Sequence, residues 1–302
     1  MSADLAATVA SLEAERKTAL RSTLVRAGAL VALGAAAALI LKLTHNGDVS
    51  ANAFVIGLVG AVVLAAWLIQ RLQRRFKRRI MPILARSIDP SLRYDALGFV
   101  SEQEFTQAGL FKKPDRYRGV DLVEGKIGQT AVKFSLVHAE EKHTHTVVDD
   151  DGNTSVQRYR TLFCGLWFIA DFNKHFSART KIEPHAASFL DKLFGSHVEM
   201  EDAEFNRHFS VSSTDQVEAR YVLTPSLMAR LDHLRTKAAV FRIAFVDEHV
   251  ILAIDCGLAA FEPSVMRPLA KSGQVEMMLD RLKSVTGIVE DLDLNTRIWT
   301  KV

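Results

Sequence analysis

Two long apolar runs come first, and the pattern after them is of a different kind. From Ala27 to Leu41 the chain reads AGALVALGAAAALIL, without a charge. From Ala53 to Ile69 it reads AFVIGLVGAVVLAAWLI, without a charged side chain. A helical membrane span needs about twenty mostly apolar residues, so both runs suffice once their flanks are included. With Lys42 and Leu43 extending the first run, only THNGDVSAN separates the two, which forces an antiparallel hairpin. Ahead of the first run, Leu5, Val9 and Leu12 recur on one side, Ser2 is placed to cap, and Glu13 stands four residues before Lys17. This predicts a helix that continues into the first span. Behind the second run, Phe76, Ile80, Leu84 and Ile88 keep helical spacing. The second helix is therefore expected to extend past the membrane, with Pro82 kinking or restarting it.

From about Arg118 the period shortens. Val132, Phe134 and Leu136 alternate with Lys133 and Ser135, the pattern of a half-buried strand, and GVDLVEGKIG precedes it as a shorter one. After the turn signal VVDDDGN comes VQRYRTLFCGLWFIADF. Its apolar stretch from Leu162 to Ala170 is too short to cross a membrane and rich in aromatics, so it predicts a central strand buried on both faces. ASFLDKLF predicts a short helix ended by Gly195, and NRHFSVSS a strand. In TPSLMARLDHLRTK, Thr224 caps, Pro225 takes the first position, and Leu227, Met228, Leu231 and Leu234 share a face. AVFRIAF and HVILAIDC form a hairpin around VDE, and a last helix is expected from Gln274 to Leu292. The fold class is α+β: an N-terminal transmembrane helical hairpin followed by a mainly antiparallel sheet with packed helices. The expected divisions are an N-terminal cytoplasmic helix (1–22), the hairpin (23–70), a basic juxtamembrane helical linker (71–115) and a cytoplasmic α+β domain (116–302).

Net charge is only +3, but its placement is uneven. Arg16, Lys17, Arg21 and Arg26 precede the first span, and RLQRRFKRR follows the second, whereas the turn holds Lys42 at its edge with His45 and Asp48. The positive-inside rule then puts both flanks and both termini in the cytoplasm, with Trp67 at the inner interface. Arg71, Arg74, Arg75, Lys77, Arg78 and Arg79 are candidate contacts to anionic lipid headgroups. Nucleic acid is not an expected partner, because only Phe76 interleaves the basic run and no reading motif follows. A signal peptide cleaved near SANA is disfavoured by an n-region containing Asp4, Glu13 and Glu15. Gly28 with Ala32, Gly34 with Ala38 and Gly57 with Ala61 are spaced for close helix contact, within the hairpin or in a homo-oligomer. Neither span contains Asp, Glu or His, which argues against an ion or proton path.

Chemistry-bearing motifs are sparse. Cys164 and Cys256 sit in apolar surroundings without CxxC spacing and are expected as reduced, buried thiols. No Gly-rich phosphate loop, HExxH or GxSxG occurs, and no cofactor is indicated. His138, His143 and His145 precede Asp149, Asp150 and Asp151, but the calcium-loop template fails there, so a solvated hairpin tip and no metal site are expected. Glu199, Glu201, Asp202, Glu204 and His208 are read as a solvated loop before a strand, and Arg220 as an internal partner of Asp215 or Glu218. The strand exit at Asp171, Asn173, Lys174 and His175 is the candidate surface site.

LFCGLWFIADFNKHF, EFNRHFSVSSTDQVEARYVLTPSLMARL and VILAIDCGLAAFEPS together resemble the bacterial domain-of-unknown-function family three-one-three-seven. The resemblance implies two N-terminal spans in the inner membrane ahead of a cytoplasmic domain. It also implies a LemA-like membrane protein as a partner, and it assigns no activity. Two functions follow from the sequence. One is a membrane-tethered binding or scaffold module for a protein or lipid. The other is a membrane-associated enzyme working at Asp171 to His175.

Overall fold

The structure, a computed structural model, describes residues 3–44, 48–149, 152–172, 175–185, 197–237, 240–269 and 272–295. The helix expected in ASFLDKLF lies outside them. The chain divides into a helix unit, 1–83 with 262–280, and a sheet unit, 84–261 with 281–302.

In the helix unit, α1 (Ala3–Thr44) is unbroken, so the N-terminal helix does run into the first apolar segment. Helix α2 (Asp48–Ile88) passes through Pro82 without restarting. Loss of one N–H is tolerated there because Ile80, Met81, Leu84 and Ala85 on either side are all buried. The two helices meet backbone to backbone. A Cβ added at Gly57 would lie 2.9 Å from the Gly34 Cα and 3.2 Å from the Leu30 carbonyl, whereas one at Gly28 would meet nothing within 4 Å. Glycine at 34 and 57 is thus what permits the crossing. Both helices are long and apolar enough to cross a membrane. Leu24, Leu33, Leu39, Val55, Ile56 and Val62 are exposed along them.

At the other end, Leu5, Val9, Leu12, Phe76 and Ile80 are buried, as their spacing predicts, and Leu72 is buried with them. There the segment 262–269 is bound to both helices by polar contacts. Arg16 forks onto Glu13 and donates to the Val265 carbonyl, Glu13 accepts from the Leu269 N–H, and Gln73 donates to the Pro263 carbonyl.

Among the described residues the sheet unit holds nine strands: β1 (Arg93–Asp95), β2 (Arg116–Ile127), β3 (Thr130–Asp149), β4 (Gly152–Asp171), β5 (Thr180–Pro184), β6 (His197–Val198), β7 (Phe209–Ser213), β8 (Phe241–Val246) and β9 (His249–Asp255). They lie in the order β1-β2-β3-β4-β9-β8-β5-β7-β6, and every pair is antiparallel. Strand β4 lies inside the sheet, and from Gly165 to Ala170, where β3 and β9 flank it, it is buried on both faces as its apolar run predicts, whereas Arg158, Arg160 and Thr161 before that run are exposed. The expected linker 71–115 is helical only to Ile88; it then supplies β1 and the short helix α3 (Glu102–Gln107) to the sheet unit.

One face packs on an aromatic core. Trp167 is fully buried among Phe105, Phe111 and Phe163, with ring centroids 4.4, 6.2 and 5.7 Å away. Helix α3 carries Phe105 into this core and starts with a capping box between Ser101 and Glu104. The other face presents Phe134, Phe168, Leu252 and Ile243 in one row and Leu136, Leu166, Ile254 and Phe241 in the next. Helices α4 (Ala203–His208), α5 (Gln216–Val222), α6 (Pro225–Lys237), α7 (Gln274–Thr286) and α8 (Ile288–Asp291) complete the fold. Asn206, Arg207 and His208, expected as strand, finish α4 instead, because Asp202 caps that helix by accepting the Glu204 and Phe205 N–H groups. The single helix expected from Gln274 to Leu292 is two. Thr286 turns its hydroxyl onto the Leu282 and Lys283 carbonyls, and Gly287 follows without a side chain to hold the helix.

Candidate functional site

The second face of the sheet is incompletely covered, and a groove of ≈ 1030 Å³ opens on it within the sheet unit. Its floor is a row of three side chains in register across three strands: Leu136 on β3, Leu166 on β4 and Ile254 on β9. Leu234 and Lys237 at the end of α6, the segment Ala259 to Phe261, and Val285 and Ile288 of α7 and α8 form the walls. Gly165 keeps the floor closed. A Cβ there would run into the Ile254 carbonyl and stand 3.0 Å from the Asp255 Cα, so a side chain would part β4 from β9.

Charge is confined to the rim. Lys237 is held by Asp291 at 2.7 Å, and Arg281 donates to the Ala260 carbonyl. Lys283 and Glu290 are exposed. Neither cysteine is buried as expected: Cys256 is exposed on the wall of the groove, and Cys164, half-buried, faces the same incompletely covered side of β4 as Leu166. Desolvation by the surrounding protein pushes both thiols above the ordinary range, with Asp255 adding to it. They are protonated at neutral pH, so Cys256 offers the groove a weakly polar wall, not an activated nucleophile.

Strand β4 ends at Asp171, whose register partner is His249 on β9. His175 is exposed, and Asn173 and Lys174 lie outside the described residues. The Phe172 and Phe176 N–H groups donate to Glu248 and Asp247 of the β8–β9 turn. A recess of ≈ 270 Å³ beside this exit is lined by Phe176, Arg179, Thr214 and Asp247 among others, and by neither Asp171 nor His175.

The histidines are spread along the long hairpin. His138 accepts from Arg118, and His143 lies 3.2 Å from Glu141, whereas His145 and the three aspartates fall where side chains are not described. Arg220 pairs with neither of its expected partners. Asp215 is occupied as the cap of α5, Glu218 accepts the Ser177 and Ala178 N–H groups, and Arg220 donates to the Glu199 carbonyl. His208 stands 2.9 Å from Asp232.

The basic run is sorted by the helix that carries it. Lys77 is buried, and Arg79 is paired with Glu15 at 2.6 Å. Arg71, Arg74, Arg75 and Arg78 remain exposed and line one recess of ≈ 460 Å³ with Trp67 and Gln70.

Residues 161–294 match the family described as "Protein of unknown function (DUF3137)". This is the family that the sequence resembles, and the matched stretch runs from the middle of β4 through α8, most of the groove included. No curated protein matches the chain. The crystal structure of the mycobacterial trehalose monomycolate transport factor A, TtfA, is similar over 72% of this chain and 97% of that one, at 10% identity and a TM-score of 0.38. Likeness at that level carries no argument about function.

Proposed function

We propose that the chain is an inner-membrane protein with both termini in the cytoplasm, and that its sheet unit is a binding module holding an amphiphile in the groove. The apolar chain of that ligand lies over Leu136, Leu166 and Ile254, and its acidic head meets Arg281 and Lys283 at the rim. The observation that carries this reading is the groove itself: an apolar floor in register across three strands, open to solvent, with charge only at its edge. Pockets of several hundred cubic ångströms lined by apolar groups and fixed by a few polar ones are how proteins hold small amphiphiles. Arg281 uses one of its donors on Ala260 and keeps others for an anion. Membrane attachment rests on the exposed apolar surface of α1 and α2, and orientation on the excess of Lys and Arg at their shared end.

The test is mass spectrometry of small molecules retained by the full chain extracted from native membranes. A lipid-like acid present with wild type and lost with Leu166→Trp, which fills the groove, is the expected result. Equal retention by both proteins contradicts it. Capture of a protein, LemA-like or a second copy, in place of a small molecule would move the module to the scaffold class.

A further inference from the structure

Four of the exposed arginines of α2 are not simply the residue of a topology signal. Arg71, Arg74, Arg75 and Arg78 follow the spacing i, i+3, i+4, i+7, so one face of the helix carries them all. They span about 10 Å along the axis at 1.5 Å per residue. Leu72, Phe76 and Ile80 occupy the opposite, buried face and fix which way the stripe looks. Trp67 lies one turn above, half exposed, with the Arg71 guanidinium 5.3 Å from its ring centroid. The recess that these side chains line is polar at its wall and has an aromatic lip on the side of the apolar segment. Among the described residues, none of the four is paired with a carboxylate, while Arg79, beside them, is.

We propose that this recess is a binding site for a membrane lipid whose headgroup carries two phosphates. Guanidinium groups bind phosphate through paired, parallel hydrogen bonds. Four of them along one helical face suit two phosphates joined by a short linker, with Arg71 and Arg74 on one and Arg75 and Arg78 on the other. Trp67 marks the headgroup level, where an indole ring is favoured. A lipid with one phosphate engages half of the stripe. The proposal rests on the membrane insertion of α1 and α2, and it is independent of what occupies the groove.

The experiment is native mass spectrometry of the full chain in mixed micelles containing equal cardiolipin and phosphatidylglycerol. One variant replaces all four arginines by lysine, which keeps charge and topology but removes the paired geometry. A control carries Arg79→Lys and Arg86→Lys. Wild type and control should retain cardiolipin with a preference of about tenfold, the scale of one lost charge-assisted contact, and the four-lysine variant should fall to about threefold or less. Equal preference in wild type and the four-lysine variant would reduce the stripe to diffuse electrostatics and overturn the site. Displacement of cardiolipin by an equal concentration of inorganic pyrophosphate would overturn the lipid as its ligand. Release of the protein from membranes by alkaline carbonate would remove the premise itself, an outcome distinguishable from an inserted protein that shows no lipid preference.

Discussion

Glu13 and Leu269 are hydrogen-bonded although nearly the whole chain separates them. The Glu13 carboxylate takes the Leu269 N–H at 2.9 Å while it holds Arg16 at 2.7 and 3.1 Å. Arg16 is almost fully buried. A buried pair of this kind costs much more to halve than to remove together, because the survivor is left charged and unpartnered. Glu13→Gln should therefore lower the melting point of the full chain, at a cost of about 3 kcal/mol. Chymotrypsin should also begin to cut at Leu269, in the segment that the pair restrains. Glu13→Gln combined with Arg16→Met should recover part of the loss. A single variant as resistant as wild type would show that the contact restrains nothing.

The aromatic core depends on Trp167. Its ring fills the centre of a cluster with Phe105, Phe111 and Phe163. Trp167→Ala should destabilise the sheet unit by about 3–5 kcal/mol. Chemical unfolding of the full chain followed by circular dichroism measures this, and an unchanged midpoint would remove β4 from the core.

Gly165 should be intolerant of any side chain. Gly165→Ala forces its Cβ against backbone of β9, which has no rotamer with which to yield. Overpacking typically costs about 1–3 kcal/mol, and a backbone obstacle belongs at the upper end. Hydrogen exchange should speed up locally at Leu166 and Ile254. Wild-type protection there in the variant would contradict the close approach.

Acid should weaken the α3 contact. Burial alone would raise the Glu104 pKa, but hydrogen bonds from Lys133 and Ser101 outweigh it and hold the carboxyl below its ordinary value. A depressed folded pKa gives stability that is present above the unfolded value, about 4.3, and is lost as pH falls through the folded one. The pair is one-third exposed, so its contribution is about 1 kcal/mol or less. Wild type should exceed Glu104→Gln in melting temperature at pH 7, and the gap should close below about pH 4. A gap independent of pH would mean that the charge plays no part.

Local pattern made much of this fold legible. The long apolar runs, the alternation of Val132, Phe134 and Leu136, and the proline start of α6 each state an element directly. Even the burial of β4 follows from its composition. The groove was not legible, because Leu136, Leu166 and Ile254 look like any other inward strand residues. What distinguishes them is that too little helix covers their face, and this depends on where α7 stops and on the register of β9 beside β4. The break at Gly287 turns on a hydroxyl choosing carbonyls, which periodicity does not record. Proximity in sequence pairs Arg220 with Asp215 or Glu218, whereas backbone N–H groups, which carry no sequence signal, claim both carboxylates. The arginine stripe lies in plain view as charge, but only the helix separates its four open members from buried Lys77 and paired Arg79.

The central claim is that the groove receives an amphiphile, and Cys256 on its wall reports occupancy. In the full chain with Cys164→Ser, held in nanodiscs, the rate of Cys256 alkylation by a small maleimide is measured at about pH 8.5, where part of the raised-pKa thiol is ionised. Decyl phosphate is the probe. Saturable protection that disappears in Leu166→Trp is the result expected. An alkylation rate unaffected by decyl phosphate, or slowed equally in both proteins, would contradict a ligand in the groove.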